Sequence, residues 1–199
     1  MNSVRYLSRH ERRRQRLSIF DDTALVIREN VRSMPEWKSA RHVGIYLSVS
    51  TGEVSTTALL RSAFEDNKVV RVPVTLRNKS LSVPSATQDS PSMVMDMVEL
   101  HSMQDFESLA RDKWGIPTPD VSEIASRRST LGLTAAAFSP GLDLIVMPGV
   151  AFDSTLGRLG HGKGFYDFFL AQYALKYSND LQAQGRRSPF LGTNPACLS

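Results

Sequence analysis

The stretch from Leu142 to Asp167 constrains the fold of this chain more than any other. Leu142 to Met147 is a short apolar run of the kind that fills the middle of a sheet, and Pro148-Gly149 stop it. From Gly157 to Gly164 a glycine recurs every second or third residue. Arg158, His161 and Lys163 are left as the long polar side chains on a backbone that can approach a ligand closely. A helix is predicted from about Lys163 through Tyr177, with its free amide groups and positive dipole end aimed at the same spot. Strand, glycine-rich turn and helix start in that order suit the holding of phosphate.

The spacing invites comparison with a P-loop. Gly157-x-x-x-x-Gly162-Lys163 fits the first seven positions, but the eighth is Gly164, where a Ser or Thr hydroxyl should meet magnesium. Asp167, on the first turn of the helix, is the nearest group able to replace that oxygen. The plainer alternative is a loop whose glycines only turn the chain, with Asp167 a carboxylate favoured by the helix dipole.

The rest of the chain predicts strands separated by helices. Residues 8 to 34 carry Leu17, Phe20, Leu25, Ile27 and Val31 at helical spacing, with Pro35 as a terminator. His42 to Val49 reads as a strand entering a loop, and Gly52-Glu53 then precede a helix from about Ser55 to Glu65. Glu53 is either a dipole-favoured carboxylate or a ligand contact at the mouth of a sheet. A strand at Val69 to Val74 is followed by a hairpin-like pair near Ser80 to Val83 and Val94 to Leu100, then a helix from Met103 to Arg111. Trp114-Gly115-Ile116-Pro117 is an extended, proline-braced segment, and a lone Trp there is commonly a core residue. Residues 120 to 139 carry no motif and read as an exposed loop or weak helix. The order predicts an α/β layered fold with a mainly parallel central sheet flanked by helices, ligands lying beyond the carboxyl ends of its strands.

Composition narrows the class. The 199 residues, 41% of them hydrophobic, suit one compact domain. The net charge of +4 is concentrated at the start, where Arg5, Arg9, Arg12, Arg13, Arg14 and Arg16 stand against Glu11. The nearly neutral remainder argues against a nucleic-acid binder, which needs a basic face along the fold. No stretch approaches the roughly 20 apolar residues of a membrane span. Cys197 alone excludes an internal disulfide and fits a reducing compartment, so a cytoplasmic location is expected, and separately a monomer. The arginine-rich start leaves a mitochondrial presequence as the alternative to a solvated helix face.

Pro148-Gly149-Val150-Ala151-Phe152-Asp153, followed by Arg158-Leu159-Gly160-His161-Gly162-Lys163-Gly164-Phe165-Tyr166-Asp167, resembles the signature of the 5-formyltetrahydrofolate cyclo-ligase (methenyltetrahydrofolate synthetase) family. Similarity extends to Tyr46-Leu47-Ser48 with Gly52-Glu53-Val54, to Met95-Asp96-Met97 and to Trp114 through Pro119. The resemblance implies conversion of 5-formyltetrahydrofolate and ATP to 5,10-methenyltetrahydrofolate, ADP and phosphate. It also implies magnesium as cofactor, held by Asp167. Arg158, Leu159, Gly160, His161, Gly162, Lys163, Gly164, Phe165 and Tyr166 would meet ATP. Arg158, His161 and Lys163 would serve the chemistry, with His161 either polarising the formyl group or touching phosphate. Leu47, Glu53 and Trp114 would meet the folate, together with the stretch from His161 through Phe165. A helix near the amino terminus supplies further cations in that family, for which Arg5 and Arg9 are candidates.

After about Ser178 the resemblance fades. The expectation is a cyclo-ligase-like domain over 1–178 and a divergent, disordered tail over 179–199, lacking the family's C-terminal strands and a second metal-binding Asp, as a truncated form would. A non-catalytic folate or nucleotide binder is the competing class.

Overall fold

The computed structural model describes residues 22–49, 53–77, 92–133, 140–153, 157–183 and 190–192. Residues 22–33 (α1) are helical, and Pro35–Ser39 (α2) form a second short helix. The first helix stops just before Pro35, as expected, and Pro35 also opens the next, because a proline at the first helical position has no N–H to lose and a fixed φ that suits the turn. Strand β1 (His42–Ile45) follows, then α3 (Thr57–Glu65), β2 (Val69–Arg77) and β3 (Met93–Leu100). Next come α4 (Met103–Ser108), β4 (Ala110–Arg111), β5 (Pro117–Thr118) and α5 (Val121–Ile124). The last elements are β6 (Leu144–Met147), β7 (Ala151–Phe152), β8 (Arg158–Leu159), α6 (Phe165–Ala183) and β9 (Phe190–Gly192).

Five strands make one sheet in the order β3-β2-β1-β6-β9. Every pairing is parallel except β2 with β3, which run antiparallel from Val70 opposite Leu100 to Arg77 opposite Met93. The fold is thus the mainly parallel, helix-flanked sheet expected, with one difference: β3 pairs with β2, and Ser80 to Val83 lie outside the described residues. The chain also stays in the fold past 178, since α6 runs to Ala183 and β9 pairs with β6.

Alternation along the strands fills both faces, as a sheet buried on two sides requires. Val43, Ile45, Val70, Val72, Leu144 and Val146 share a cluster with Ile27, Val31, Trp37, Leu59, Leu60 and Ala63 of α1, α2 and α3. Met95, Met97, Ile145 and Met147 meet Phe169, Tyr173 and Tyr177 of α6 on the other face. Gly44 leaves room there, since a Cβ would stand 2.7 Å from the Met97 sulfur. Helix α3 follows β1 on one face and α6 follows β6 on the other. The two strands are neighbours leading to opposite sides of the sheet, so a crevice opens beyond their carboxyl ends.

Over 120–139 an exposed loop or weak helix was expected; α5 is such a short helix, and the segment after it is a strap buried in part. Ser129 and Thr130 are fully buried against β3, and Arg127 grips Asp105 of α4 with both guanidinium nitrogens at 2.6 and 2.7 Å. That fork holds the Asp105 carboxyl below its usual value of 3.8, against burial that pushes it up and with help from the His101 amide. A carboxyl depressed in the folded state stabilises the fold above its unfolded pKa, and the contribution fades as pH falls through the folded value. Asp105→Asn should therefore cost about 2 kcal/mol at pH 7 and less near pH 3, below the unfolded carboxyl's value, measured by urea unfolding at both. An equal cost at the two pH values would contradict the assignment.

Candidate active site

The site is built on the chain leaving β6. Pro148 and Gly149 turn it outward, and β7 pairs antiparallel with β8. Asp153 closes the connection: its N–H donates to the Gly157 carbonyl at 3.0 Å, and its Oδ1 accepts from the Gly157 N–H at 2.7 Å. A Cβ on Gly157 would stand 2.5 Å from that carboxylate, so a side chain there would push the Asp153 carboxylate aside. Arg158 and Leu159, expected within the turn, thus lie on a strand too short to show periodicity. The turn itself is Gly160 to Gly164, with Gly162 at φ +78° and Gly164 at φ +66°. Left-handed residues cannot continue into a helix, which is why α6 starts at Phe165 and not at Lys163. The Gly164 carbonyl accepts the first helical bond, from the Phe168 N–H at 2.9 Å.

Arg158 and Asp167 meet at the head of α6, with Nη2 donating to Oδ1 at 2.7 Å. The Arg158 guanidinium also lies 5.5 Å from the centre of the Tyr166 ring. Tyr166 packs against both core clusters, at the junction of the two faces. Burial pushes its phenol far up, Tyr46 and Glu53 push in the same direction, and Arg158 opposes them, so the group stays neutral. Gly160, His161, Gly162, Lys163 and Gly164 are accessible along the turn, as is Leu159, while Phe165 is half-buried.

Lys163 reaches a different partner, its Nζ 5.4 Å from the centre of the Trp114 ring. Trp114 stands on the turn between β4 and β5 and is 60% exposed, which excludes the core role. Asp112 builds that turn, its Oδ1 accepting from the N–H groups of Trp114 and Ile116 at 2.8 and 2.9 Å. Glu53 is half-buried and closes the loop after β1, its Oε2 accepting from the Val49 N–H at 2.9 Å. Leu47 stands apart from this exposed rim: it is 5% exposed, inside the core. Arg5 and Arg9 lie outside the described residues.

Three residues without a role read from the sequence take part. Asp153 closes the hairpin. Tyr46 donates its hydroxyl to the Val54 carbonyl at 3.0 Å, bracing the loop that carries Glu53. Lys113 lies 5.5 Å from the Trp114 ring, so two lysines flank that indole. Tyr46 and Asp153 both stand in the stretches that resemble the family, which was the signal available for them; Lys113 had none.

For a divalent cation, Asp167 is a single carboxylate at the glycine turn, 71% exposed. Among the described residues no group of three His, Cys, Asp or Glu forms a cage. One carboxylate beside a glycine-rich turn fits magnesium, which is commonly held by one or two carboxylates together with substrate phosphates. A separate concavity of about 610 Å³ opens at the amino ends of β1 and β2, lined in part by Lys38, Arg41 and Lys68. Lys68 is already committed there, donating to the carbonyls of Trp37 and Ala40 at 2.6 and 2.7 Å. No helix among the described residues is long and apolar enough to cross a membrane.

Comparison with known proteins bears on the family and the fold. A probable 5-formyltetrahydrofolate cyclo-ligase of Schizosaccharomyces pombe is 34% identical over 172 residues, spanning 86% of this chain and 71% of that protein. The 5-formyltetrahydrofolate cyclo-ligase of Mus musculus is 30% identical over 167 residues, spanning 84% and 68%. The solution structure of Aquifex aeolicus 5,10-methenyltetrahydrofolate synthetase matches with a TM-score of 0.52 at 22% identity, over 88% of this chain and 68% of that one, and so supports the fold. Residues 3–193 match the model of one family throughout, and the chain therefore belongs to the 5-formyltetrahydrofolate cyclo-ligase family.

Proposed function

We propose that the chain converts 5-formyltetrahydrofolate to 5,10-methenyltetrahydrofolate at the expense of ATP, with magnesium, releasing ADP and phosphate. The observation that carries this reading is the convergence of a cation, a carboxylate and left-handed glycines on the head of α6, at the sheet's switch point, in a chain of this family. The formyl oxygen attacks the γ-phosphorus and ADP departs. N10 then adds to the formyl carbon, loses its proton, and the former formyl oxygen leaves with phosphate. No protein nucleophile is needed, so the work is positioning and charge neutralisation.

Lys163 and the amides from Gly160 to Gly164 hold the phosphates, and the fixed charge of Arg158 adds to the field there. His161, exposed on the same turn, meets phosphate or the formyl group. Glu53 and Trp114 form the folate side. Asp167 would hold magnesium, which when bound neutralises charge on the phosphoryl oxygens.

The test follows the absorbance of the methenyl product in a purified preparation. Growth that requires both ATP and magnesium supports the reading. Stabilisation by folate without product formation would instead make the chain a binder.

A further inference from the structure

Among the described residues Trp114 is the bulkiest hydrophobic side chain left exposed, at 60%. A ring with most of its surface in water has few packing partners to fix its direction. The ammonium groups of Lys113 and Lys163 lie 5.5 and 5.4 Å from its centre, but each sits at the end of a flexible four-carbon stem. What holds the indole in one place is therefore the backbone that carries it.

That backbone is closed by one residue. The Asp112 carbonyl accepts from the Gly115 N–H at 2.9 Å, which makes Asp112-Lys113-Trp114-Gly115 a four-residue turn with Asp first and Gly last, as such turns prefer. The Asp112 N–H donates to the Ile116 carbonyl, also at 2.9 Å. Its side chain then enters the turn: Oδ1 accepts from the Trp114 N–H at 2.8 Å and from the Ile116 N–H at 2.9 Å. Ile116 packs against the core and Pro117 is buried. One oxygen thus joins a residue fixed by the core to a residue standing in water.

We infer that Asp112 is a positioning residue for the folate: its Oδ1 ties the Trp114 N–H to that of core-anchored Ile116 and so keeps the exposed indole where a flat ring of the substrate stacks. This rests on the reading of Trp114 as part of the folate side. The acceptor oxygen is what matters in this role, and the negative charge is not, which separates it from electrostatic attraction or repulsion of the substrate.

The experiment measures binding of 5-formyltetrahydrofolate, and separately of ADP with magnesium, by calorimetry. The proteins are the unaltered chain, Asp112→Ala, Asp112→Asn, Asp112→Glu, Trp114→Ala and the Asp112→Ala/Trp114→Ala pair. Stacking of a flat heterocycle on an aromatic side chain is worth about 5–150-fold in affinity. Asp112→Ala should therefore weaken folate binding by about tenfold while changing ADP affinity by less than about threefold. Asp112→Glu keeps the charge and moves the acceptor, and should behave like Asp112→Ala. Asp112→Asn keeps an acceptor oxygen and loses the charge, and should restore folate binding. Adding Asp112→Ala to Trp114→Ala should weaken it no further. In turnover, Asp112→Ala should raise KM for the folate and leave kcat unchanged, as loss of uniform substrate binding does.

Unchanged folate affinity in Asp112→Ala would show that the turn holds without the carboxylate and would overturn the proposal. A loss in Asp112→Asn as deep as in Asp112→Ala would overturn it too, by making the charge the cause. ADP affinity falling as far as folate affinity would replace positioning with general damage to the site, and a further loss in the double variant would mean that Asp112 acts other than through Trp114; either result overturns it. Should Asp112→Ala fail to fold, Asp112→Glu takes its place with the same outcomes. An unaltered chain that binds the folate but loses nothing with Trp114→Ala overturns the proposal alone. One that binds no folate overturns the reading of the site as well.

Discussion

Lys163→Ala lowers turnover by about two to three orders of magnitude, the loss typical when one preorganised stabiliser of developing charge is removed. The same change moves the melting temperature by less than about 3 °C. The separation follows from where the lysine stands. Its side chain is exposed, and its contact with the Trp114 ring at 5.4 Å is of the exposed cation–π kind, worth about 0.5–1 kcal/mol. The flanking glycines set the backbone whatever side chain sits between them. Phosphoryl transfer, by contrast, concentrates charge on the transferring oxygens, and no other residue from Gly160 to Gly164 supplies an ammonium group to meet it. Steady-state kinetics beside a thermal melt reads both quantities. A variant that melts much lower and loses activity only in proportion would give Lys163 a structural role.

Asp96→Asn produces the opposite pattern, a loss of about 3–5 kcal/mol of stability, or about 10 °C or more of melting temperature. Asp96 is fully buried on β3 and accepts four bonds. Oδ1 takes the N–H groups of Met97 and Leu131 at 2.7 and 2.9 Å; Oδ2 takes the Ser129 hydroxyl and the Leu133 N–H at 2.7 and 3.2 Å. An amide of the same shape turns an NH2 group toward two donors and leaves them unsatisfied inside the protein. Because the four donors come from residue 97 and residues 129–133, and none from the head of α6, activity per folded molecule at low temperature should be retained. Denaturant unfolding measures the cost, and a loss under about 1 kcal/mol would show that the strap can relax.

The sequence disclosed what depends on local pattern. The apolar run before Pro148, the recurrent glycines and the helix beyond them mark the site because strand, turn and helix start each have their own short-range chemistry. The family motif added which residues belong together. Partners far apart in the chain stayed hidden: nothing about Asp96 announces that its donors come from 129–133, and a stretch rich in Ser and Arg looks exposed until those bonds enclose it. The two-residue strands β7 and β8 are too short to alternate. Pro35 shows a different limit, since one residue can end a helix or begin one, depending on backbone the sequence does not state. The glycines carried two meanings: Gly162 and Gly164 supply left-handed backbone, whereas Gly149 supplies room for the Phe152 ring and Gly160 for Arg158. Only coordinates separate these.

The most direct test is a crystal structure of the chain with ADP and magnesium. The account places the phosphates against the amides of Gly160 to Gly164 at the head of α6, with Lys163 drawn off the Trp114 ring. Phosphates seated instead in the basic concavity at the amino ends of β1 and β2, near Lys38 and Arg41, would contradict it.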